Sequence, residues 1–509
     1  MQPQKNQNAN TSAFQKVFYH RQTNTKYTGH YLSRIVLLSA AIFFSVAAQS
    51  QVAVENYLES IRDNKAALTA FFAQMPKGGD LHNHLTGSIY TETYINYVVD
   101  NDYYINVKTL DVADKPGSSV DWQRFSTLKQ AGQLDTYKQK LIQVWSVKDY
   151  NGVSYPSDKL FFETFGKFGV ASSKTIEPGL LELKERAKVE HVSYIETSTG
   201  VGGDDNVQFP RSNMDDALEY AENNRDTALT FRILDTIYNA IIDPLKPIAA
   251  ANNKYISDMH RRLGIDDDDF TLRYQFAFVR TIAPTLVFRK MVLAFQAVST
   301  DTSKLVVGVN ILAPENNDIS MRDYWLHMQM FKYCRAKAQF KEVKCSLHAG
   351  ELVLGMVKPE ELSWHIYDAV RVAGADRIGH GVDIPYEHDC YDLLRYMASH
   401  KVAVEINLYS NQFILHVQDD RHPITLYKQF GVPITINTDD EGVLRSDLIE
   451  QYVILANRYH SITYKDIKQF VYNSIEYSFI RDPKLKAHIK SQLDTEFAAF
   501  EKMIAGIPK

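Results

Sequence analysis

The stretch "MPKGGDLHNHLTGSIY" (residues 75–90) sets two imidazoles, His82 and His84, one residue apart behind a Pro and two Gly. In an extended segment residues i and i+2 face the same way, so both rings would project together near the strand's end. Two co-facing imidazoles are half of a divalent-metal site. The pair alone says little, since 16 His in 509 residues supply roughly 0.5 such pairs by chance. The weight comes from three other places. His348 lies in "SLHAGE", with Glu351 just beyond it; His380 lies in "RIGHGVD"; Asp439 and Asp440 end "TINTDD". Three neutral imidazoles and one carboxylate suit Zn²⁺ with a position left for water. Zinc lowers the pKa of that water towards ~7. A buried carboxyl at Glu351 would donate a proton to a substrate ring nitrogen. His380 would serve as base or electrostatic partner for the activated water, and Asp440 as a hydrogen-bond partner of the substrate.

These residues meet only if the intervening elements bring them together. Eight short β-rich runs bounded by turn residues cover 78–84, 191–199, 272–280, 305–312, 343–350, 377–383, 402–409 and 432–440. Helical patterns lie between them, as at 285–298, 320–340, 359–374 and 389–400. Strand and helix in alternation predict an α/β fold, a closed (β/α)8 TIM barrel whose strand ends gather the candidates in one mouth. No G-x-G-x-x-G opens a helix, which argues against a dinucleotide site on an open sheet. The long connections 85–190 and 200–271 carry helical periodicity of their own, as at 121–145, and read as helical insertions over the barrel mouth. Everything after Arg445 reads as helix. The expected organisation is an N-terminal region over 1–50 and one barrel domain over 51–509.

The net charge of −5 excludes the basic footprint of a nucleic-acid binder. The run Asp266 to Asp269 reads as a solvated loop. Three cysteines, Cys334, Cys345 and Cys390, make neither a disulfide framework nor a CxxC zinc site. An uncharged apolar run at 35–48 follows Arg21, Lys26 and Arg34 and ends in small residues. It is short for a membrane span and reads as a cleavable signal peptide. The expected mature chain is exported, without stable membrane association.

"MPKGGDLHNHLTGS", "VVGVNILAPE", "SLHAGE", "RIGHGVD", "EINLYSN" and "INTDDEGV" follow one another in an order that resembles the adenosine deaminase family of metal-dependent hydrolases. The export signal and "MPKGG" look closest to the secreted, adenosine deaminase-related growth factor branch or a bacterial exported relative. The resemblance implies that His82, His84, His348 and Asp439 bind one Zn²⁺. It implies that Glu351 protonates purine nitrogen 1, that His380 orients and deprotonates the attacking water, and that Asp440 hydrogen-bonds nitrogen 7. The implied substrate is a purine nucleoside, adenosine or deoxyadenosine, and the secreted branch implies a homodimer. Three positions depart from the family pattern. Thr86 stands where an Asp holds the ribose, Ala313 where a Gly meets the purine through its backbone amide, and Glu441 where a Pro follows the Asp pair. All three bear on which purine is accepted, so adenine, a modified nucleoside and an adenine nucleotide stay open. A secreted, non-catalytic binding or signalling protein on the same fold would be expected to have lost Glu351, His380 or a ligand, and all are present. The remaining histidines, His365 and His422 among them, have no constellation around them and read as ordinary, although His422-Pro423 in "DDRHPI" resembles a family element and is expected to shape the loop after the seventh strand.

Overall fold

The structure, a computed structural model, describes residues 50–153 and 155–507. Its contacts divide the chain into Met1–Val52 and Ala53–Lys509, and the second unit is the one described. The apolar run at 35–48 lies outside the described residues.

Eight parallel strands form one sheet, each hydrogen-bonded to the next in chain order. They are β1 (Gly78–His84), β2 (Val192–Gly200), β3 (Thr271–Val279), β4 (Val306–Leu312), β5 (Lys344–Ala349), β6 (Arg377–His380), β7 (Ala403–Ile406) and β8 (Ile434–Ile436). Past β8, Asn83 bridges Asp439, so the first and last strands meet and the barrel is nearly closed. The strands are buried along almost their whole length, as expected of a parallel sheet covered by helices on the outside and side chains within. Pro284–Thr300 shows the outer layer: thirteen of its residues are buried, with Val287, Met291 and Phe295 in the core.

The lower barrel interior is polar. The Arg377 guanidinium bridges Glu196 (2.6 Å) and Glu405 (2.5 Å). Ser346 donates to Glu405 at 2.8 Å, and Tyr194 donates to Glu196 at 2.7 Å. Buried charges persist only when paired and hydrogen-bonded in this way.

Three expectations need correction. The run 402–409 leaves the sheet at Ile406, and Leu408–Leu415 is a helix; its Leu and Phe suit either state, and packing against Ser157–Ser172 and Leu448–Arg458 decides. The 359–374 pattern breaks into a turn at Pro359–Leu362, a short helix at His365–Tyr367 and a π-turn at Asp368–Val372, where the Glu387 carboxylate accepts from the Ile366 amide. The insertion between β1 and β2 is not purely helical: Tyr104–Asn106, Val112–Ala113 and Trp122–Arg124 pair as a small antiparallel sheet. Trp122–Arg124 takes the start of the 121–145 pattern, leaving helices at Phe125–Gln130 and Leu134–Trp145. Between β2 and β3 a 37-residue helix, Thr227–Leu263, runs through Pro244 and Pro247. Each Pro removes a helical hydrogen bond, and burial of Ile241, Leu245 and Ala249 on one face holds the helix.

After Arg445 the chain is helical, through Leu448–Arg458, Tyr464–Glu476 and Pro483–Ala505. Asp266 and Asp267 are ion-paired, with Arg273 and with Lys184 and Lys188 respectively. All three cysteines are free thiols. Among the described residues no helix is long and apolar enough to cross a membrane.

Candidate metal centre and substrate cavity

His82 and His84 share one face of β1, with their Nε2 atoms 3.3 Å apart. His348 Nε2, near the end of β5, lies 3.2 Å from His84 Nε2. Asp439 Oδ1 lies 3.1 Å from His84 Nε2 and 3.4 Å from His82 Nε2. A tetrahedron with bonds of about 2.0–2.1 Å to its donors has edges of about 3.3–3.4 Å. The spacing and the N₃O donor set therefore fit zinc without rearrangement.

Each donor is aimed by a partner behind it. His82 Nδ1 donates to Glu405 Oε2 at 2.7 Å, which leaves Nε2 for a metal. His348 Nδ1 donates to Asn310 Oδ1 at 3.0 Å. Ser410 donates to Asp439 Oδ2 at 2.6 Å, turning Oδ1 towards the imidazoles. Burial works against a proton on His82, yet Asp439 and Glu405 hold its pKa at about 10. The cluster favours positive charge at this point. Gly379, on β6, is required by the close approach: a Cβ there would stand 2.6 Å from His82 Cε1.

The proton-handling groups lie beside the cluster. Glu351, His380 and Asp439 bring their polar atoms within 4.8 Å of one another. Burial, with the negative charges of Asp439 and Glu315 nearby, drives the Glu351 carboxyl well above the usual carboxylate range, which favours its protonated form. Its turn is fixed by Glu315, whose carboxylate accepts from the Gly350 and Glu351 amides at 3.1 and 2.9 Å and from His365 Nδ1 at 2.6 Å. Burial and then the charge of Asp439 raise Asp440 likewise, and its Oδ1 is buried without a partner.

His380 is neutral; burial, with the charges of His82 and His84, pulls it down to about 3. A relay sets its tautomer. The Ile424 amide donates to His422 Nδ1 at 3.2 Å, so His422 carries its proton on Nε2 and donates to Asn411 Oδ1 at 3.1 Å. The Asn411 amide nitrogen then donates to His380 Nδ1 at 3.0 Å. His380 is left with its proton on Nε2. This arrangement suits orienting an oxygen nucleophile and stabilising charge that develops on it. His380, Asp439 and Ala313 all have left-handed backbone, at φ 67°, 63° and 91°. Non-Gly residues held there cost on the order of 1–3 kcal/mol each and cluster at functional sites.

These groups open into a cavity of about 570 Å³ lined also by Thr86 and Ala313. His82, His84, His348, Asp439, Glu351, His380, Asp440 and Ala313 are thus brought to one place. Glu441 is not: its buried carboxylate pairs with Arg186, so this departure does not face the substrate. His365 and His422 are corrected from ordinary residues to supports of Glu351 and His380. Glu405, Asn310, Ser410, Asn411 and Glu315 were not singled out from sequence. For Glu405 and Asn310 a signal existed, a lone polar residue inside the apolar strands "VAVEINLY" and "VVGVNIL".

The family model described as "Adenosine deaminase" matches residues 292–496. Over 152 residues the chain is 32% identical to an adenosine deaminase of Yersinia pseudotuberculosis, covering 30% of this chain and 42% of the relative. Over 154 residues it is 33% identical to an aminodeoxyfutalosine deaminase of Streptomyces avermitilis, covering 30% and 39%. The chain thus spans about two fifths of the length of these curated relatives. A crystal structure of the arabidopsis N6-mAMP deaminase superposes with a TM-score of 0.53 at 18% identity, covering 84% of this chain and 99% of that one. That likeness concerns the fold. The matched segment contains His348, Glu351, His380, Asp439 and Asp440, while His82 and His84 precede it and join them through the barrel. Over residues 292–496 the chain is thus similar to the adenosine deaminase family.

Proposed function

We propose that this protein is a zinc-dependent hydrolase that removes the 6-amino group of a purine nucleoside, with adenosine and deoxyadenosine the simplest members of the class. The observation that carries the reading is the meeting of the His82, His84, His348 and Asp439 donors with the Glu351 carboxyl beside one cavity. In the reaction one water adds at purine carbon 6 and one ammonia leaves, so adenosine and water give inosine and ammonia.

Zinc, held by His82, His84, His348 and Asp439, would make a water nucleophilic at neutral pH. Glu351 donates its proton to nitrogen 1, which draws electrons from carbon 6 and opens it to attack. Asp440, whose Oδ1 has no partner, hydrogen-bonds nitrogen 7 and fixes the ring plane. His380 orients the attacking oxygen through Nε2–H. We further propose one zinc per chain, a homodimer, and export directed by the 35–48 run.

The test is ammonia release from adenosine, deoxyadenosine, adenine and AMP by purified protein, with Glu351→Gln alongside. Release from a nucleoside, falling by at least about 10²-fold in the variant, supports the reading. No release from any of the four by zinc-loaded protein overturns it.

A further inference from the structure

Helix Leu408–Leu415, which follows β7, has two working faces. Its buried face carries Ser410 and Asn411, which hold Asp439 Oδ2 at 2.6 Å and His380 Nδ1 at 3.0 Å. Residues three and four apart share a helix face, so Tyr409, Gln412 and Phe413, with His416 just past the last turn, lie together on the other side. They floor a second cleft, of about 290 Å³, which shares no lining residue with the catalytic cavity. Tyr150, on the insertion between β1 and β2, closes one side. Its ring meets Phe413 edge-on at 5.2 Å, and its hydroxyl donates to the Tyr155 carbonyl at 2.6 Å. The left-handed turn at His416, φ 55°, brings Gln418 and Arg421 to the rim. The cleft also touches the catalytic cavity's other support: His416 Nε2 lies 3.1 Å from the hydroxyl of Ser157, which opens the helix carrying Phe161, Phe162 and Phe165 along that cavity.

The cleft has the chemistry to take a flat ring with an anionic group. Tyr150, Tyr409 and Phe413 offer aromatic surface to a planar heterocycle. Gln412 Oε1 accepts from Arg458 Nη2 at 2.6 Å, which leaves its own N–H groups to donate, and Gln418 adds a second amide. Arg421 supplies the charge. Its Nη2 donates to the His416 carbonyl at 2.9 Å, which steadies the guanidinium at the rim. Asp419, two residues earlier, lies 3.6 Å from Arg458 Nε, and Arg421 is in no ion pair among the described residues. A guanidinium so placed has donors to spare for the fork-like pairing that phosphate and carboxylate accept.

We infer that this cleft is a second ligand site, for a planar heterocycle bearing one anionic group, as in a nucleoside monophosphate, and that its occupancy is felt at Asp439 and His380 through helix Leu408–Leu415. A ring seated against Tyr150 and Phe413 ties the helix's outer face to the insertion, so the inner face holds Ser410 and Asn411 more firmly in place. The coupling rests on the proposed zinc site; the binding does not.

The experiment titrates UMP, which has no purine to offer the catalytic cavity, into zinc-loaded protein by calorimetry, with and without excess inosine. Saturable binding that survives inosine is expected. Arg421→Gln should weaken it by about tenfold or more and leave the binding of uridine, which has no anion, unchanged. Phe413→Ala should weaken UMP and uridine alike, by about tenfold. Zinc loss to a chelator should slow when UMP is present, and Arg421→Gln should lose that protection while keeping the parent's zinc content. No binding of UMP, its loss on adding inosine, its displacement by an equal concentration of inorganic phosphate, or undiminished affinity in Arg421→Gln overturns the site. Binding without effect on zinc loss, or a protein that holds no zinc, overturns the coupling and leaves the site standing.

Discussion

His82, His348 and His380 stand on barrel strands hydrogen-bonded into the sheet, and each ring has a side-chain partner within 3.3 Å. Phe161, Phe162 and Phe165 stand on a helix of the insertion between β1 and β2, touching one another edge-on and held by apolar packing. The first region orients a few atoms to tenths of an ångström through directional bonds. The second excludes water and sets volume, which apolar contacts do without fixing direction. A barrel therefore keeps its chemistry on strand ends while the insertion decides what else fits in the mouth.

Changes in the first region should cost most. Glu351→Gln keeps the shape and removes the proton, so kcat should fall about 10²–10⁴-fold with KM little changed, as steady-state kinetics would read. Glu405→Gln replaces the charged acceptor behind His82 with a neutral one, and zinc affinity should weaken about 10–100-fold in a chelator competition. His422→Leu breaks the relay that sets the His380 tautomer. Turnover should drop while zinc content stays at the parent level, and a fall in both would mean His422 serves only to hold the fold.

The insertion should respond in stability. Phe168, buried and stacked on Tyr94 at 4.9 Å, anchors this helix. Phe168→Ala should cost about 3–5 kcal/mol in urea denaturation and loosen substrate selectivity without loss of zinc.

The smallest effect concerns pH. Burial, with the Arg280 and Arg322 charges, lowers His327 to about 3. Between pH 3 and 6.5 the unfolded chain holds a proton at this residue that the folded chain refuses. Its contribution is therefore complete above pH 6.5 and is lost as pH falls through that window. Going from pH 7 to pH 5 should lower stability by on the order of 1–2 kcal/mol from this residue. His327→Leu should show a correspondingly flatter slope in denaturation midpoints.

How much of this was legible in sequence follows the same division. The barrel and the clustering of His82, His84, His348 and Asp439 were, because the period of two in "DLHNH" and the polar residues closing "SLHAGE", "RIGHG" and "NTDD" are local signals that strand geometry converts into one site. The supports were not, because Glu315, Asn411 and His422 act through partners far along the chain, and no local spacing reports a hydrogen bond from position 422 to 411 and on to 380. Thr86 and Glu441 looked alike as departures beside metal ligands. The fold separates them, turning Glu441 to Arg186 and leaving Thr86 in the cavity. The small sheet at 104–124 was hidden because three-residue strands carry too few alternations to outweigh a helical period.

The most direct test of the central claim is metal removal and restoration. Protein stripped with a chelator is titrated with zinc while bound metal per chain and ammonia release are followed together. The account predicts that release is lost on stripping and returns in proportion to zinc up to about one per chain, and that His84→Ala neither holds the zinc nor regains activity. Undiminished deamination by the stripped protein, or full activity of His84→Ala, would contradict it.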